Sequence, residues 1–344
     1  DIRVCNLSYL QASWYIDQMK REAYESVPLP ISWDHSEYRT GVLDMARVSE
    51  RYESLTLDQA LRYLRHPKTI DENGIGSIPT KQLILPIDSQ QVIKTQTVDS
   101  ANAHRIDSMM VIKLRRGMSK ADLMVLEMIN TNKWERPIYF AVTVGENYYP
   151  AVNEYFQLEG LAYRLVPIKT EENSDRVNTE VMYDNMMNKF RWGGIEKEGV
   201  YLDETVLRMC RTQRLMFCHL IDALLKEGKE EKARKALNRC LEVIPFYNVP
   251  ADYSSIMLAT AFYKLGEIKE GDKIMNLLVQ NSMDKIDWAL TLPSEWRASI
   301  SRENSINQNL AILQAVYSEC DIYNKSLAEK IYKDFERVYL KSID

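Results

Sequence analysis

The sequence lacks cysteines at the spacing of a metal site or a disulfide framework. No Cys-X-X-Cys pair occurs, and the count is odd. Widely spaced cysteines in odd number indicate neither zinc binding nor a set of disulfides. Cys218 and Cys240 are predicted to be small buried side chains between facing helices. We therefore predict no cofactor and no metal. The five cysteines are Cys5, Cys210, Cys218, Cys240 and Cys320.

Long apolar runs and an excess of basic charge are missing as well. No run approaches the roughly 20 apolar residues of a membrane helix, and no signal peptide is present. The net charge is −5, from 44 basic and 49 acidic residues. Nucleic acid is therefore not predicted as a partner. The chain starts in a strand-like run without an initiator methionine, so we expect it to be a piece of a longer protein.

The length and composition are those of a globular protein of two domains. With 344 residues, the chain is long enough for about two domains of ordinary size. Its 45% hydrophobic and 27% charged residues are typical of globular proteins. The residue pattern changes from α/β to helical near residue 172. We predict an α/β domain over residues 1–172 and a helical domain over residues 173–344.

The first half shows signals for alternating strands and helices. Residues 2–7 and then 11–26 predict a strand followed by a helix, the start of a βα unit. Further strands are predicted at residues 82–87 and 109–114. Two helices carry amino-terminal caps, one at Thr56 with Gln59, the other at Ser119 with Asp122.

The stretch from 113 to 168 is predicted to be the spine of this half. Residues 138–144 are apolar without alternation, which is typical of a strand covered on both faces of a parallel sheet. A return strand follows within residues 161–168. We therefore predict a mostly parallel sheet with flanking helices.

The best site candidate is the loop after the strand at 138–144. In open α/β sheets, ligands bind beyond the carboxyl ends of the strands. At the carboxyl edge of the sheet, where this loop leaves the strand, the residues predicted to bind a ligand are Asn6, Trp14, Tyr15, Asn147 and Tyr148. No catalytic residue is predicted.

Two weaker signals in the sequence indicate a loop and a turn and not a catalytic or phosphate-binding site. The segment 88–108 holds Asp88, Asp99, His104 and Asp107, which could form a carboxylate–histidine site. Since no two of them have ligand spacing on one element, we favour a solvated loop. The Gly-X-Gly at 74–76 follows no predicted strand and lacks a third glycine, so a turn within a loop over 66–77 is predicted instead of a phosphate loop.

The second half predicts paired helices like those of tetratricopeptide repeats. Over residues 214–245, large apolar residues precede Gly228, small Ala233 follows it, and Pro245 closes the unit. A weaker copy spans 252–283, and a capping helical segment spans 305–341. Such repeats bind extended peptides, or only brace the neighbouring structure.

Three stretches carry a family resemblance. Residues 1–8 with 14–16, residues 136–143 and residues 155–167 resemble the C-terminal soluble part of the protein O-mannosyltransferase-like membrane proteins, common in Bacteroidetes. Residues 188–193 and 201–204 also match. The resemblance implies a preceding membrane region with the catalytic acid, a periplasmic location for this part, and transfer of a sugar from a lipid-linked donor to protein hydroxyls.

The resemblance also implies the partners. They are the chain's own membrane region and acceptor proteins. We therefore expect an accessory, acceptor-binding domain that is not catalytic alone. Two alternatives stay open: an α/β enzyme with a site at the carboxyl edge of its sheet, and a pure protein-interaction module.

Overall fold

The computed structural model describes residues 2–145, 151–170 and 176–343. The chain divides into two compact units, Asp1–Arg176 and Val177–Asp344. The predicted boundary at residue 172 lies four residues before this division. The first unit is α/β and the second is helical, so the predicted fold class is confirmed.

The first unit contains short helices and strands around one apolar core. Trp33, Tyr38 and Leu57 are among its fully buried side chains. The helices are α1 (Ser13–Met19), α2 (His35–Tyr38), α3 (Leu57–Leu64), α4 (Ser89–Lys94) and α5 (Lys120–Asn132). The strands are β1 (Met45–Val48), β2 (Leu55–Thr56), β3 (Ile75–Ile78), β4 (Gln82–Pro86), β5 (Met109–Lys113), β6 (Gly117–Ser119), β7 (Tyr139–Ala141), β8 (Phe156–Leu158) and β9 (Ala162–Leu165).

The strands form three small sheets, each with three strands. Their orders are β3-β1-β6, β2-β4-β5 and β7-β9-β8. Only β1–β3 and β2–β4 are parallel among the described pairs, and the other four pairs are antiparallel. The prediction of a mostly parallel sheet is therefore wrong, because most of the described strand pairs are antiparallel. Short links such as the one between β8 and β9 allow only antiparallel neighbours, because a parallel pair needs a long crossover.

The two predicted helix caps are confirmed. At α3, the Gln59 N–H donates to Thr56 Oγ1 (3.1 Å) and the Thr56 N–H donates to Gln59 Oε1 (3.0 Å). At α5, the Asp122 N–H donates to Ser119 Oγ (3.2 Å) and the Ser119 N–H donates to Asp122 Oδ2 (2.9 Å). These reciprocal bonds satisfy backbone donors that a helix leaves free at its first turn.

The amino terminus differs from the prediction. Residues 2–6 pair with no described strand, and Ile2 and Val4 are largely exposed, so the predicted strand at 2–7 is wrong. The helix predicted over 11–26 is reduced to α1. Tyr24 adopts a left-handed backbone with φ +54°, and Ala23 pairs with Ser26 in a tight turn. A left-handed residue cannot continue a right-handed helix.

The apolar run at 138–144 forms a shorter strand with one buried face. Within β7, Phe140 is buried whereas Tyr139 and Ala141 are exposed. In the part of the chain that the structure describes, β7 lies at the edge of its sheet and pairs only with β9. The alternation is hidden in the sequence because Tyr and Ala occupy the outward positions. The prediction of a strand covered on both faces is therefore wrong.

The Gly-X-Gly segment contains the turn that was predicted and a strand that was not. Gly74 turns the chain with φ +73°. Gly76 instead lies in β3, where a Cβ would come within 2.3 Å of Leu64 Cδ1 and 3.0 Å of Leu43 Cδ1. Gly76 therefore gives space to the core next to β1, and the loop predicted over 66–77 ends at β3.

The second unit consists of helices. Its helices are α6 (Thr179–Asp184), α7 (Glu204–Lys226), α8 (Glu230–Val243), α9 (Ser255–Lys264), α10 (Ile268–Thr291), α11 (Ser294–Arg297), α12 (Ile306–Tyr323) and α13 (Lys325–Ile343). A π-helical turn, Asn185–Lys189, follows α6. Among the described residues, no helix is long and apolar enough to cross a membrane.

Three helix pairs coincide with the stretches where the repeats are predicted. The stretch 214–245 falls on α7 and α8, 252–283 on α9 and α10, and 305–341 on α12 and α13. Gly228 and Gly266 turn the first two pairs with φ +71° and +76°. Ala233 is fully buried, and a Cβ at Gly271 would lie 2.4 Å from Tyr263 Cε1. These small residues let the paired helices approach closely.

Cys218 and Cys240 are both buried and all five cysteines are free. The Cys218 thiol donates to the Ser254 carbonyl at 3.4 Å. Burial raises the pKa of Cys240 to about 12. Both side chains therefore remain protonated thiols near neutral pH, as small buried apolar groups do.

Candidate functional site

Three aromatic rings gather where the chain enters α1. We call Tyr9, Trp14 and Tyr15 the aromatic edge. The ring centroids of Tyr9 lie 6.2 Å from Trp14 and 5.5 Å from Tyr15, and those of Trp14 and Tyr15 are 5.6 Å apart. Tyr15 is buried, whereas Trp14 and Tyr9 are 61% and 55% exposed. A 3₁₀ turn, Ser8–Gln11, folds Tyr9 back onto α1. The cluster thus offers two aromatic faces to a ligand.

Asn6 holds the aromatic edge in place. Its backbone N–H donates to the Tyr15 hydroxyl at 2.8 Å, and its Oδ1 accepts from the Tyr9 N–H at 3.3 Å. The structure therefore brings together three of the predicted site residues, Asn6, Trp14 and Tyr15. Asn147 and Tyr148, the other two, lie outside the described residues. The part of the chain that carries Asn6 belongs to no strand, so a sheet edge does not position it.

The raised pKa values of Cys5 and Tyr15 speak against nucleophilic chemistry beside the aromatic edge. Burial raises the pKa of Cys5 to about 11, against the opposing effect of its hydrogen bond with Tyr15. Burial also raises the pKa of Tyr15, which is hydrogen-bonded to Asn6. Because the thiolate is the reactive form of cysteine, Cys5 is a poor nucleophile at neutral pH.

A cleft of about 320 Å³ shares the Ser8–Gln11 turn with the aromatic edge. It runs between this turn and the amino end of α5. Asp122 is the carboxylate in its lining, and its Oδ2 already accepts from the N–H and Oγ of Ser119 at 2.9 and 2.7 Å. The cleft thus offers hydroxyl, amide and apolar groups for contact with a ligand. Its lining residues are Leu7, Ser8, Gln11, Ser119, Ala121, Asp122 and Val125.

The acidic residues of the segment 88–108 have structural roles. Asp88 caps α4 by accepting from Gln90 and Gln91. Asp99 accepts from the Asn102 N–H at 2.8 Å. Asp107 accepts from the Lys169 N–H at 2.8 Å, and Nδ1 of His104 lies 3.1 Å from the Ala101 carbonyl oxygen. Each of the four groups contacts a different backbone group, so they form no shared site, as the favoured interpretation held. The prediction of a plain loop is wrong, because α4 and a 3₁₀ helix, Ser100–Arg105, lie in this segment.

A carboxylate–histidine pair that the sequence did not indicate ties α1 to α2. Nδ1 of His35 lies 2.8 Å from Oδ2 of Asp17, and the Tyr38 hydroxyl donates to Oδ1 of Asp17 at 2.6 Å. Burial raises the pKa of Asp17, but hydrogen bonds from Tyr38 and His35 outweigh it, and the pKa lies below its ordinary value. Both carboxylate oxygens are therefore engaged in joining the helices. The spacing of 18 and 21 residues matches no local motif.

Tyr9 and the residues of the cleft were also missed by sequence reasoning. The available signal was the run Ser-Tyr-Leu-Gln directly after Asn6 and Leu7, which places an exposed tyrosine next to Trp14 once the chain turns. In the described part of the chain, no group of three or more His, Cys, Asp or Glu side chains is arranged to hold a metal ion.

Comparison with known families identifies the region that contains this site. The sequence model of TMEM260-associated domain 2 matches residues 1–181. The chain belongs to the family of TMEM260-associated domain 2. The matched region holds the aromatic edge and the cleft. No curated protein and no solved structure matches the chain significantly. The O-mannosyltransferase-like identity and the Bacteroidetes origin stay predictions.

Proposed function

We propose that this chain is an accessory domain of a membrane-bound glycosyltransferase that uses a lipid-linked sugar. In this proposal it lies on the extracytoplasmic side, contacts the membrane region of its own protein and binds the acceptor protein. The observation that carries the proposal is the match of TMEM260-associated domain 2 to residues 1–181. Sugar transfer itself belongs to the membrane region.

The aromatic edge supports an acceptor-binding role. Exposed Trp and Tyr faces bury large areas at low entropic cost and retain a polar group for hydrogen bonding, which makes them frequent anchors in binding surfaces. The neighbouring cleft adds the hydroxyls of Ser8 and Ser119 and the amide of Gln11. This combination suits a peptide or a sugar, because both present apolar faces beside hydrogen-bonding groups.

The proposal is tested in the intact membrane protein with Trp14→Ala. The expected result is a loss of acceptor glycosylation of about tenfold or more, as for a central aromatic contact. Glycosylation is measured by intact-mass spectrometry of the acceptor. Trp296→Ala is the matched control, because Trp296 is 64% exposed and lies outside the matched region. The Trp296→Ala variant should glycosylate the acceptor protein as the unchanged protein does.

Two further results separate the parts of the proposal. Unchanged glycosylation by the Trp14→Ala variant, shown by circular dichroism to be folded, would contradict acceptor binding at the aromatic edge. Unchanged glycosylation after removal of residues 1–176 would contradict the accessory function as a whole. If partners still bind but sugar transfer never depends on this chain, it is an interaction module instead.

A further inference from the structure

Three hydrogen-bond acceptors at the aromatic edge are already engaged within the chain. Oδ1 of Asn6 accepts from the Tyr9 N–H at 3.3 Å. The Tyr15 hydroxyl accepts from the Asn6 N–H at 2.8 Å, and the Tyr9 carbonyl accepts from the Ala12 N–H at 2.9 Å. These oxygens hold the turn together, so a ligand that needs acceptors has to share them.

Two hydrogen-bond donors at this edge have no partner among the described residues. A backbone N–H can only donate, so the side-chain atom of Asn6 that faces the Tyr9 N–H is the oxygen, and Nδ2 points elsewhere. Neither Nδ2 of Asn6 nor Nε1 of Trp14 contacts an acceptor in the described part of the chain. Asn6 is exposed and Trp14 is 61% exposed, so both donors are accessible to a ligand.

The exposed rings of Tyr9 and Trp14 do not cover each other. Their centroids lie 6.2 Å apart and their planes are inclined by 47°, so the rings are not stacked face to face. The face of an aromatic ring carries partial negative charge and attracts groups with partial positive charge. The two faces therefore suit a compact saturated ring whose C–H groups are polarised by a neighbouring nitrogen or oxygen.

Proline offers both the ring and the acceptors that match this edge. Its pyrrolidine ring is saturated, and one of its CH₂ groups is bonded to the amide nitrogen. Because proline has no backbone N–H, a run of prolines presents carbonyl acceptors without donors. Such a run adopts the polyproline II helix, which has no internal hydrogen bonds. Its carbonyls are therefore free to accept from Asn6 and Trp14.

We propose that the aromatic edge binds a proline-rich segment of a partner protein in the polyproline II conformation. A proline ring packs on the faces of Tyr9 and Trp14, and neighbouring carbonyls accept from the Asn6 amide and the Trp14 indole. The segment loses little conformational entropy, because its helix exists before binding. The inference rests on the acceptor-binding role proposed for this edge and specifies the kind of segment that is bound.

The hydrogen-bond pattern favours this segment over a sugar. Sugar hydroxyls donate as well as accept, and a donor that leaves water without finding an acceptor weakens binding. The acceptors of Asn6 and Tyr15 are engaged at the edge, and the side chains of Ser8 and Gln11 line the neighbouring cleft. A proline-rich segment brings few donors that need these groups.

The test measures binding to the full 344-residue chain by fluorescence anisotropy. The probe is a fluorescein-labelled peptide of repeated Pro-Pro-Ser units. The comparison peptide has alanine in place of every proline, which adds N–H donors and removes the preformed helix. We expect the proline peptide to bind at least about tenfold more tightly than the alanine peptide. Its affinity should change by less than about twofold between low and high salt, because no ion pair is involved.

Two variants locate the binding. Trp14→Ala removes a ring face and the indole donor, and it should weaken binding of the proline peptide by about tenfold or more. Asn6→Asp keeps an oxygen that accepts from the Tyr9 N–H but puts a carboxylate oxygen in place of the donor. It should weaken binding by about fivefold, as expected for the loss of one hydrogen bond.

Each variant has a matched control in the helical unit. Asn307→Asp makes the same change of charge at an exposed position on α12. Trp296→Ala removes another exposed tryptophan ring. Both control variants should bind the proline peptide as the unchanged chain does.

Three results would overturn the inference. One is the absence of binding by the proline peptide up to millimolar concentration, or equal binding of both peptides. Another is an equal effect of Asn6→Asp and Asn307→Asp. The last is displacement of the peptide by methyl glucoside at the peptide's own concentration, which would mark a site for sugars.

The binding test is separate from the test of glycosylation. If the proline peptide does not bind but Trp14→Ala still lowers glycosylation by the intact protein, the proline-rich segment is wrong and the accessory role stands. If the peptide binds through Trp14 but the same variant leaves glycosylation unchanged, the proline-rich segment is supported and the acceptor role of the edge is contradicted.

Discussion

Arg214 is a fully buried cation that holds the link between α8 and α9. Its Nη2 donates to the carbonyls of Val249 (2.6 Å) and Ile244 (3.3 Å), and its Nη1 donates to that of Pro250 (3.0 Å). The guanidinium lies 4.8 Å from the centroid of the Phe246 ring. One side chain thus satisfies three carbonyls, those of Val249 and Ile244 buried and that of Pro250 partly exposed, a task that suits the fixed fork of arginine donors. Its Nη1 also lies 3.4 Å from Oδ1 of Asp252.

Replacement of Arg214 by methionine is therefore expected to destabilise the helical unit. The variant fills similar volume but leaves buried carbonyls without donors and Asp252 without its cation. The expected loss is about 3–5 kcal/mol in the free energy of unfolding. Thermal unfolding followed by far-ultraviolet circular dichroism measures it.

A matched control separates this role from the loss of any arginine on α7. Arg208 is exposed on the same helix, and Arg208→Met should change stability by less than about 0.5 kcal/mol. Arg214→Lys should recover little, because an ammonium group cannot reach carbonyls in several directions as a guanidinium does. Similar unfolding of Arg214→Met and Arg208→Met would contradict the role assigned to Arg214.

The helices α2 and α3 are joined by a two-point ion pair. Arg65 donates through Nε and Nη2 to the two carboxylate oxygens of Glu37, at 2.6 and 2.9 Å. Glu37 also accepts from the Asp34 N–H at 2.8 Å, as part of the cap of α2. Arg65 lies over the ring of buried Trp33, 5.9 Å from its centroid. A helix as short as α2 depends on such tertiary contacts, since it is too short to be stable alone.

This pair makes the stability of the α/β unit depend on acidity. Burial raises the pKa of Glu37, but the hydrogen bonds from Arg65 and Asp34 outweigh it, so the pKa lies below its ordinary value of 4.5. A carboxyl group with a lowered pKa in the folded state stabilises fully above its unfolded pKa. That contribution is lost as the pH falls through the folded pKa. The unit should therefore weaken below about pH 4.5.

The variant Glu37→Gln tests this dependence. At pH 7 it should be less stable by about 1–2 kcal/mol, because a neutral amide replaces a charged two-point acceptor. On acidification below about pH 4.5, its stability should fall less steeply than that of the unchanged chain. Urea unfolding across this pH range measures both effects. Glu25→Gln, at an exposed position, is the control. If the free energy of unfolding falls equally steeply with pH for the unchanged chain and for Glu37→Gln, Glu37 does not contribute to the pH dependence.

Across the molecule, elements with local signals were predictable and long-range pairings were not. The caps at Thr56 and Ser119 lie within four residues of their partners, so the sequence alone predicts where α3 and α5 begin. Whether residues 138–144 have one covered face or two depends on which strands flank them. β7 pairs with β9, more than 20 residues later, and no local pattern specifies that choice.

The candidate site shows the same division. Asn6, Trp14 and Tyr15 are close in sequence, and a single turn brings them together. The partners of Asp17 lie 18 and 21 residues away on another helix. The cleft beside the aromatic edge needs α5, more than 100 residues later. Chemistry that depends on such distant contacts cannot be inferred from spacing.

The matched family region and the first compact unit end almost together. The family model covers residues 1–181 and the first unit ends at Arg176. The apolar core of the first unit uses residues from Leu10 to Ile168. The buried residues of the second unit begin in α6 and continue through α13. Each unit thus encloses apolar residues of its own, which is the property of a domain that folds alone.

We therefore expect that each piece folds by itself when the chain is divided between Arg176 and Val177. Residues 177–344, expressed alone, should show helical circular dichroism and one cooperative thermal transition. Residues 1–176 should do the same with an α/β spectrum. Because each piece has more than about 100 residues, each can bury enough apolar surface to fold by itself.

A division inside the first unit, between β4 and β5, is the control, because it separates strands paired from Gln82 to Pro86. Loss of cooperative unfolding in either piece after the cut at 176 would show that the unit needs the other to fold.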